Sequence, residues 1–596
     1  MSIREESSET ARPASTNALL TARSQHPTAR KHILTIGLED WFQVGSFHSL
    51  IHRDQWYRFE TRLERNTSTT LHLLDECNAK ATFFVLGWVA EECPELIRTI
   101  TERGHEVASR GYYHRPVTTL SRSEFRDDLL RTQECIEAAG HQRVRGYRMA
   151  DQWLTPQDLW LLEVLAEEGY DYDSSLLPKF RQFASEPFRR FIHACETPSG
   201  TITEVPPSTR RFVGVNVPVC GGNWLRQSPA AVMRRSVDSV ITENPNSPYV
   251  MYFHVWELDT DQPQISATSR LTRLRHYRHL DRMREHLADY LTRYQFDTVA
   301  DSLGLALEEI DHPEINRSTV RFQSITLSDD GTTPDATTPR TTTHELITPQ
   351  PVSIVIPCYN EDATLPYLSR TLNRLEYELA PHYVPEFVLV DDRSTDVTWD
   401  VMQSVFGQKS NCVLVRHDVN QGVSAAILTG IKTATHETVC SMDCDCSYDP
   451  LELRHMLPLL TDDVDLVTAS PYHPEGTVKN VPGWRLLLSK GLSTIYRCVL
   501  PQKLHTWTSC FRVYRRSAIE PLVLKENGFL GTAELVARLS LNGGKIVEHP
   551  ATLEVRIFGE SKMKTVRTII DHLKLIRRLI AEPRPAKPAV RKAPPG

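Results

Sequence analysis

Five short β-rich runs, SIVIP, FVLVDD, CVLVRH, TVCSMD and DLVTAS, follow one another between Ser353 and Ser470, with amphipathic stretches between them. Short apolar strands alternating with helical patterns signal a parallel sheet. In such sheets the binding crevice lies at the carboxyl ends of the strands. The polar residues of these runs fall there: Asn360 and Glu361, Asp391 and Asp392, Asp443 and Asp445. The first half repeats the alternation, from HILTIGLEDWFQV through ATFFVLG and GHEVASRGYYHRP to YVMYFHVWELDTDQP. That recurrence suggests a (β/α) barrel, again with its site at the strand carboxyl ends.

A chain of 596 residues is long enough for several domains. Composition shifts divide it into a Ser/Thr/Ala/Arg-rich tail (1–30), a patterned region (31–310), a Thr/Pro/Asp linker (311–350), a second patterned region (351–580) and a basic Pro-rich tail (581–596). With 40% hydrophobic and 24% charged residues, the chain is an ordinary globular one with ample core. Its net charge of −7 argues against a nucleic-acid binder, which needs a basic footprint. The 12 cysteines form no paired zinc-type set, so free thiols in a reducing cytosol are expected. The N-terminus lacks an apolar signal core, and no apolar run reaches the roughly 18 residues of a membrane span. A cytoplasmic protein is expected, with any membrane contact peripheral.

Asp443-Cys444-Asp445 follows the apolar run Thr438 to Met442. Strand alternation would point both carboxylates to one side, where they can hold a hard divalent cation that bridges a diphosphate. Taken alone, such a motif is more often a solvated loop end, and Asp391-Asp392 is similarly weak, since an Asp pair can simply cap a helix. The ordered set VIPCYNE, VDDRSTDVT, NQGVSAAILTGI, MDCDCSYDP, TSCFRVYRR and RIFGESKMK is more specific. It resembles family 2 glycosyltransferases of the dolichol-phosphate mannosyltransferase type, from about Val352 to Ile580. The resemblance implies a GT-A nucleotide-binding α/β domain with a mostly parallel sheet. It places Pro357, Tyr359 and Glu361, with Asp391 or Asp392, on the nucleotide. Asp443 and Asp445 would hold Mg²⁺ or Mn²⁺ on the diphosphate, and Arg556, Ser561 and Lys562 would close over the phosphates. Arg485 and Arg512 are further candidates for the acceptor phosphate. The implied reaction is inverting transfer of a sugar from a nucleotide diphosphate-sugar to a polyprenyl phosphate or related glycan acceptor. A metal neutralises the leaving group, and an anionic acceptor needs cations more than a strong base. Ser447 stands where the family has Gln, Ser470-Pro471-Tyr472 lacks an expected arginine, and Cys510 replaces a glycine.

From Val566 onward, Ile569, Ile570, Leu573, Ile576, Leu579 and Ile580 fall at helical spacing. The stretch from Lys562 to Gly596 holds ten Lys/Arg against Asp571 and Glu582. Such a helix either lies on an anionic membrane surface or packs into the core with a solvated basic face. Both readings stay open on sequence.

The first region resembles polysaccharide deacetylases of the nodulation type, most closely those of exosortase-type exopolysaccharide systems, over about Lys31 to Leu303. In that family an Asp and two His hold a divalent metal, a nearby Asp is the general base and a late His the acid. Asp40, His114 and His254 occupy matching positions, and Arg148 survives in the third motif. Gly37 stands where the first Asp belongs, and Arg110 where the first His belongs. A permanent cation cannot ligate a metal. Arg110 is therefore expected to pair with Asp40 or Glu39 in the metal's place, leaving a metal-free, degenerate pocket that still binds sugar through Trp41, Tyr112, Tyr113 and Trp256. The alternative is an active carbohydrate N-deacetylase in which Glu39 or His105 replaces the lost ligand.

Overall fold

The computed structural model describes residues 31–150, 153–180, 183, 185–310, 348–481, 483–559 and 565–582. The expected N-terminal tail, nearly all of the expected linker and all of the expected C-terminal tail beyond Glu582 lie outside these residues.

In the first region His32–Leu38 is buried at every position, as a strand covered on both faces must be. It pairs in parallel with Val250–His254 on one side and Thr82–Val85 on the other. The sheet continues through Glu106–Ser109, Gly146–Tyr147, Tyr172–Asp173 and Gly200–Glu204 to His193–Thr197. Only the last pair is antiparallel. The ladder itself does not close. Ser208 spans the seam instead, donating its backbone N–H to the Val250 carbonyl at 3.1 Å while its Oγ accepts from Val250 N–H at 2.9 Å. Leu63–Glu76, Arg122–Gly140 and Ala230–Glu243 are the longer helices of this unit. The second is fixed at its start by a reciprocal capping box between Ser121 and Glu124.

The five β-rich runs of the second region all form strands. Their sheet runs Cys412–Arg416, Tyr383–Asp391, Gln350–Cys358, Thr438–Ser441, Arg512–Arg515, Leu466–Ser470, Ile546–Pro550. Arg512–Arg515 is antiparallel to both neighbours, and the other pairings are parallel. The chain order reverses between Gln350–Cys358 and Thr438–Ser441. That reversal opens a crevice beyond their carboxyl ends.

The two regions share one apolar core. Trp41, Phe42 and Phe59 of the first pack with Tyr367 and Phe558 of the second. Arg58, whose side chain is 2% exposed, reaches across to Asp449 at 2.6 Å. Gln55 donates to Glu554 at 3.0 Å, and Ser266 N–H to the Ile557 carbonyl at 2.8 Å.

The C-terminal helix, Thr565–Ala581, packs its apolar stripe inward. His572, Leu575, Ile576 and Leu579 are buried, and Arg578 pairs with Glu526 and Glu534. Ile570, Leu573 and Ile580 remain exposed, as do Ile495 and Val499 on the contacting helix Gly483–Val499. The helix is thus core-packed on one face and apolar on part of the other.

Candidate active site

A cavity of about 420 Å³ fills the crevice of the second sheet. Pro357, Tyr359, Glu361, Asp392, Asp443, Asp445 and Arg556 all line it, so residues spread over about two hundred positions of sequence meet there. The strand Thr438–Ser441 ends before the two aspartates. Asp443 to Cys446 form a turn, with Cys446 N–H donating to the Asp443 carbonyl and Cys446 at φ 53°. A turn rather than strand alternation thus places the two carboxylates at the cavity, while Cys444 and Cys446 are buried in the core cluster.

Burial and the adjacent Asp445 push the Asp443 carboxyl up to about 7. Asp445 accepts from Ser447 N–H at 2.9 Å and Ser447 Oγ at 2.7 Å, so the residue that departs from the family pattern holds this carboxylate in place. Arg556 bridges the site. Its Nη2 lies 2.6 and 2.5 Å from the two Glu361 oxygens, and its Nε lies 3.4 Å from Asp445. Burial raises the Glu361 carboxyl against the pull of Arg556.

Of the Asp391-Asp392 pair, Asp392 reaches the cavity wall. Its oxygens accept from Gln421 N–H and Gly422 N–H at 2.8 and 2.7 Å, and from His417 Nδ1 at 2.8 Å. It thereby fixes the turn before the helix Val423–Thr433. Gly422 is required in that turn: its φ is +99°, and a Cβ would sit 2.6 Å from the Asn527 carbonyl oxygen. Asp391 is fully buried and spent on Arg416 at 3.0 Å and Ser394 N–H at 2.9 Å. As the last residue of its strand it meets these partners and does not line the cavity.

Arg512 also departs from expectation. It is buried, and its guanidinium donates to the Thr532 and Trp507 carbonyls at 2.9 and 3.0 Å. Its role is to tie strand Arg512–Arg515 to its surroundings. Arg485 lies on the helix Gly483–Val499, with its side chain outside the described residues, as are Ser561 and Lys562. Asn420 and Phe529 line the cavity without having been singled out, and so does Cys510, marked until now only as replacing a glycine. For Asn420 a signal existed, because it opens the NQG turn.

A second cavity, of about 540 Å³, opens at the carboxyl ends of the first region's strands. Glu39, not Asp40, is its central carboxylate. Arg110 Nε lies 3.2 Å from it, His114 Nε2 2.9 Å and His254 Nδ1 2.8 Å. Burial pushes the Glu39 carboxyl up, but Arg110, His254 and His114 outweigh it and hold it well below the usual range. Burial lowers His114. Asp40 turns away, accepting from Trp41 N–H at 3.0 Å and Arg62 N–H at 2.9 Å. Adjacent residues on extended chain face opposite sides, so only one of the pair can enter the pocket.

The ring of His254 fills the room that a side chain at position 37 would need: a Cβ on Gly37 would lie 2.3 Å from Nδ1. His105 faces elsewhere, its Nδ1 accepting from Ala81 N–H at 3.3 Å. Of the four expected stacking residues, Trp256 lines this cavity. Trp41 is buried in the shared core, Tyr112 packs under Gly87, and Tyr113 faces a different cavity. No cluster of three or more His, Cys, Asp or Glu among the described residues is arranged to hold a metal ion.

Comparison with known proteins finds matches in both regions. Residues 353–523 match glycosyl transferase family 2, residues 53–153 match polysaccharide deacetylase, and residues 174–304 match a domain of unknown function, DUF3473. A polyprenol monophosphomannose synthase of Mycolicibacterium smegmatis is 32% identical over 217 residues, which are 35% of this chain and 80% of that protein. A dolichol-phosphate mannosyltransferase of Pyrococcus furiosus is 32% identical over 235 residues, 38% of this chain and 63% of that protein. The chain thus spans less than two thirds of the latter's length. A solved CE4 family pseudoenzyme from Bacillus anthracis aligns at 16% identity with a TM-score of 0.25, covering 46% of this chain and 66% of that one. Through its second region the chain belongs to glycosyl transferase family 2, and its first region is similar to polysaccharide deacetylases over residues 53–153.

Proposed function

We propose that the second region transfers a sugar from a nucleotide diphosphate-sugar to a polyprenyl phosphate, and that the first region does not hydrolyse amides. One observation carries this reading: Asp443, Asp445, Glu361 and Arg556 converge on a single cavity beside Pro357 and Tyr359, at the reversal of strand order. Asp443 and Asp445 suit a divalent cation, because burial, and then the adjacent Asp445, raise Asp443 to about 7, and such an ion relieves both. Bound there, Mg²⁺ or Mn²⁺ supplies Lewis-acid stabilisation to the departing diphosphate. Pro357, Tyr359 and the turn held by Asp392 take the nucleoside. Arg556 exchanges its pairing with Glu361 and Asp445 for the phosphates, a site that its planar fork suits. Glu361, freed of Arg556, accepts a hydroxyl of the donor. The acceptor phosphate is already an anionic nucleophile and needs no general base.

A lipid acceptor requires a membrane surface. The apolar side chains left exposed on the two C-terminal helices, Ile570, Leu573 and Ile580 with Ile495 and Val499, suit peripheral docking on its cytoplasmic face. No helix among the described residues is long and apolar enough to cross a membrane.

The test is a transfer assay. Full-length protein is incubated with radiolabelled UDP- or GDP-sugars, polyprenyl phosphate and Mn²⁺ or Mg²⁺, and the organic phase is counted. Label that disappears both with EDTA and in the Asp443→Asn/Asp445→Asn double variant supports the proposal. Absence of label with every donor, from folded protein, ends it.

A second reading draws on Glu39 lying between His114 and His254, one carboxylate and two imidazoles in one pocket. It makes the first region an N-deacetylase. It requires a metal where Arg110 now sits, and metal analysis of the purified chain decides it.

A further inference from the structure

The cavity of the first region carries an excess of positive charge that no role discussed so far uses. Arg148 forms its floor and is 2% exposed. Its Nε and Nη2 donate to the Ser174 carbonyl at 3.1 Å and Ser174 Oγ at 2.7 Å, and its guanidinium lies 4.2 Å from the Phe84 ring centre. No carboxylate among the described residues pairs with it; the charge that acts on it most strongly is Arg110. Gly37, at the end of the buried strand beside His254, supplies no carboxylate either. Arg110 shares Glu39 with two histidines. The floor therefore presents two guanidiniums to one carboxylate. Lys179 and Arg275 add cations around it, while the remaining lining carboxylate, Glu257, is paired with Arg226 at 3.0 Å.

A buried cation without a counter-charge is costly. Burial and Arg110 together lower Arg148 to about 10. A metal ion would deepen this imbalance, whereas an anion removes it. Guanidinium pairs match phosphate and carboxylate geometry. The walls add aromatic surface suited to a sugar ring: Trp153 and Tyr252, 5.6 Å apart and edge to face, with Trp224 and Trp256. Trp256 is fixed by stacking on His276 at 4.1 Å.

We propose that this cavity binds an anionic saccharide, a sugar bearing a phosphate or a carboxylate, with the anion on Arg148 and Arg110 and the ring against Tyr252 and Trp153. The inference does not depend on the transferase reading.

Calorimetric titration of the full chain with mannose 1-phosphate, glucuronate and the neutral methyl mannoside tests it, all in the Asp443→Asn/Asp445→Asn background to silence the other cavity. At least one anionic sugar is expected to bind about tenfold or more tightly than the neutral one, an advantage that shrinks as salt is raised. Preference between the two anions separates phosphate from carboxylate. Arg148→Gln should abolish that preference for anions. Should Arg148→Gln fail to fold, Lys179→Ala is the second variant, expected to weaken the anionic sugar several-fold and leave methyl mannoside unchanged. Equal binding of charged and neutral sugars, no binding by folded protein, or stoichiometric zinc in the purified chain would each overturn the proposal.

Discussion

Trp41, two residues after Glu39, meets Phe558, two residues after Arg556, with ring centres 6.3 Å apart and planes tilted by 49°. Both are buried, and Phe59 and Tyr367 complete the cluster. With the Ser266–Ile557 hydrogen bond, this contact makes the first region a wall for the loop that carries Arg556.

Phe558→Ala should therefore act on the transferase site through Arg556. Removing a buried aromatic of this kind costs about 3–5 kcal/mol. The expected outcome is a lower melting temperature together with a rise of about tenfold in KM for the nucleotide-sugar. Phe558→Leu should restore much of both. Steady-state kinetics with varied donor, run beside thermal unfolding, checks this. An unchanged KM despite lowered stability would make the contact purely structural.

Gly37→Ala should destabilise the first region. The added methyl would meet His254 Nδ1 at 2.3 Å, inside a strand buried at every position. Overpacking of this sort costs about 1–3 kcal/mol. Thermal unfolding of Gly37→Ala, with and without His254→Ala, measures it, and the second substitution should recover most of the loss.

Arg512→Met should lower stability by about 1–3 kcal/mol, because it strips buried donors from the Thr532 and Trp507 carbonyls. Neither donor nor acceptor KM should move by more than about twofold, a change worth under 0.5 kcal/mol. A large rise in acceptor KM would return Arg512 to the phosphate.

Acid should loosen the C-terminal helix. His572 is buried against Tyr496, and burial lowers its pKa to about 4, below the ordinary 6.5. Between those values the unfolded chain holds a proton that the folded chain does not. The stability it contributes is complete above pH 6.5 and is lost as pH falls toward 4, by up to about 3 kcal/mol. Melting curves at pH 7 and pH 5 should differ less for His572→Leu than for the parent chain.

Much of the second site could be read in advance, because strand ends in a parallel sheet are both recognisable and adjacent in space. SIVIP, FVLVDD and TVCSMD end at one crevice, which gathers Glu361, Asp392, Asp443 and Asp445 whatever their separation. Asp391 and Asp392 could not be told apart, since one residue of register decides which faces the core. The same ambiguity hid Glu39 behind Asp40. The partners of Arg512 could not be foreseen because they are backbone carbonyls, and a carbonyl leaves no mark in residue type.

The sequence by itself determined the α/β class, the transferase crevice and the pairing of Arg110 with a carboxylate of the Glu39-Asp40 pair, because these follow from local pattern and residue chemistry. Only the tertiary structure decided that Glu39 is the acid at the centre of the first pocket, that Arg148 lacks a counter-charge among the described residues, and that Trp41 supports the loop of Arg556. These depend on which side chains face one another after both sheets have packed, and long-range packing leaves no periodic trace along the chain.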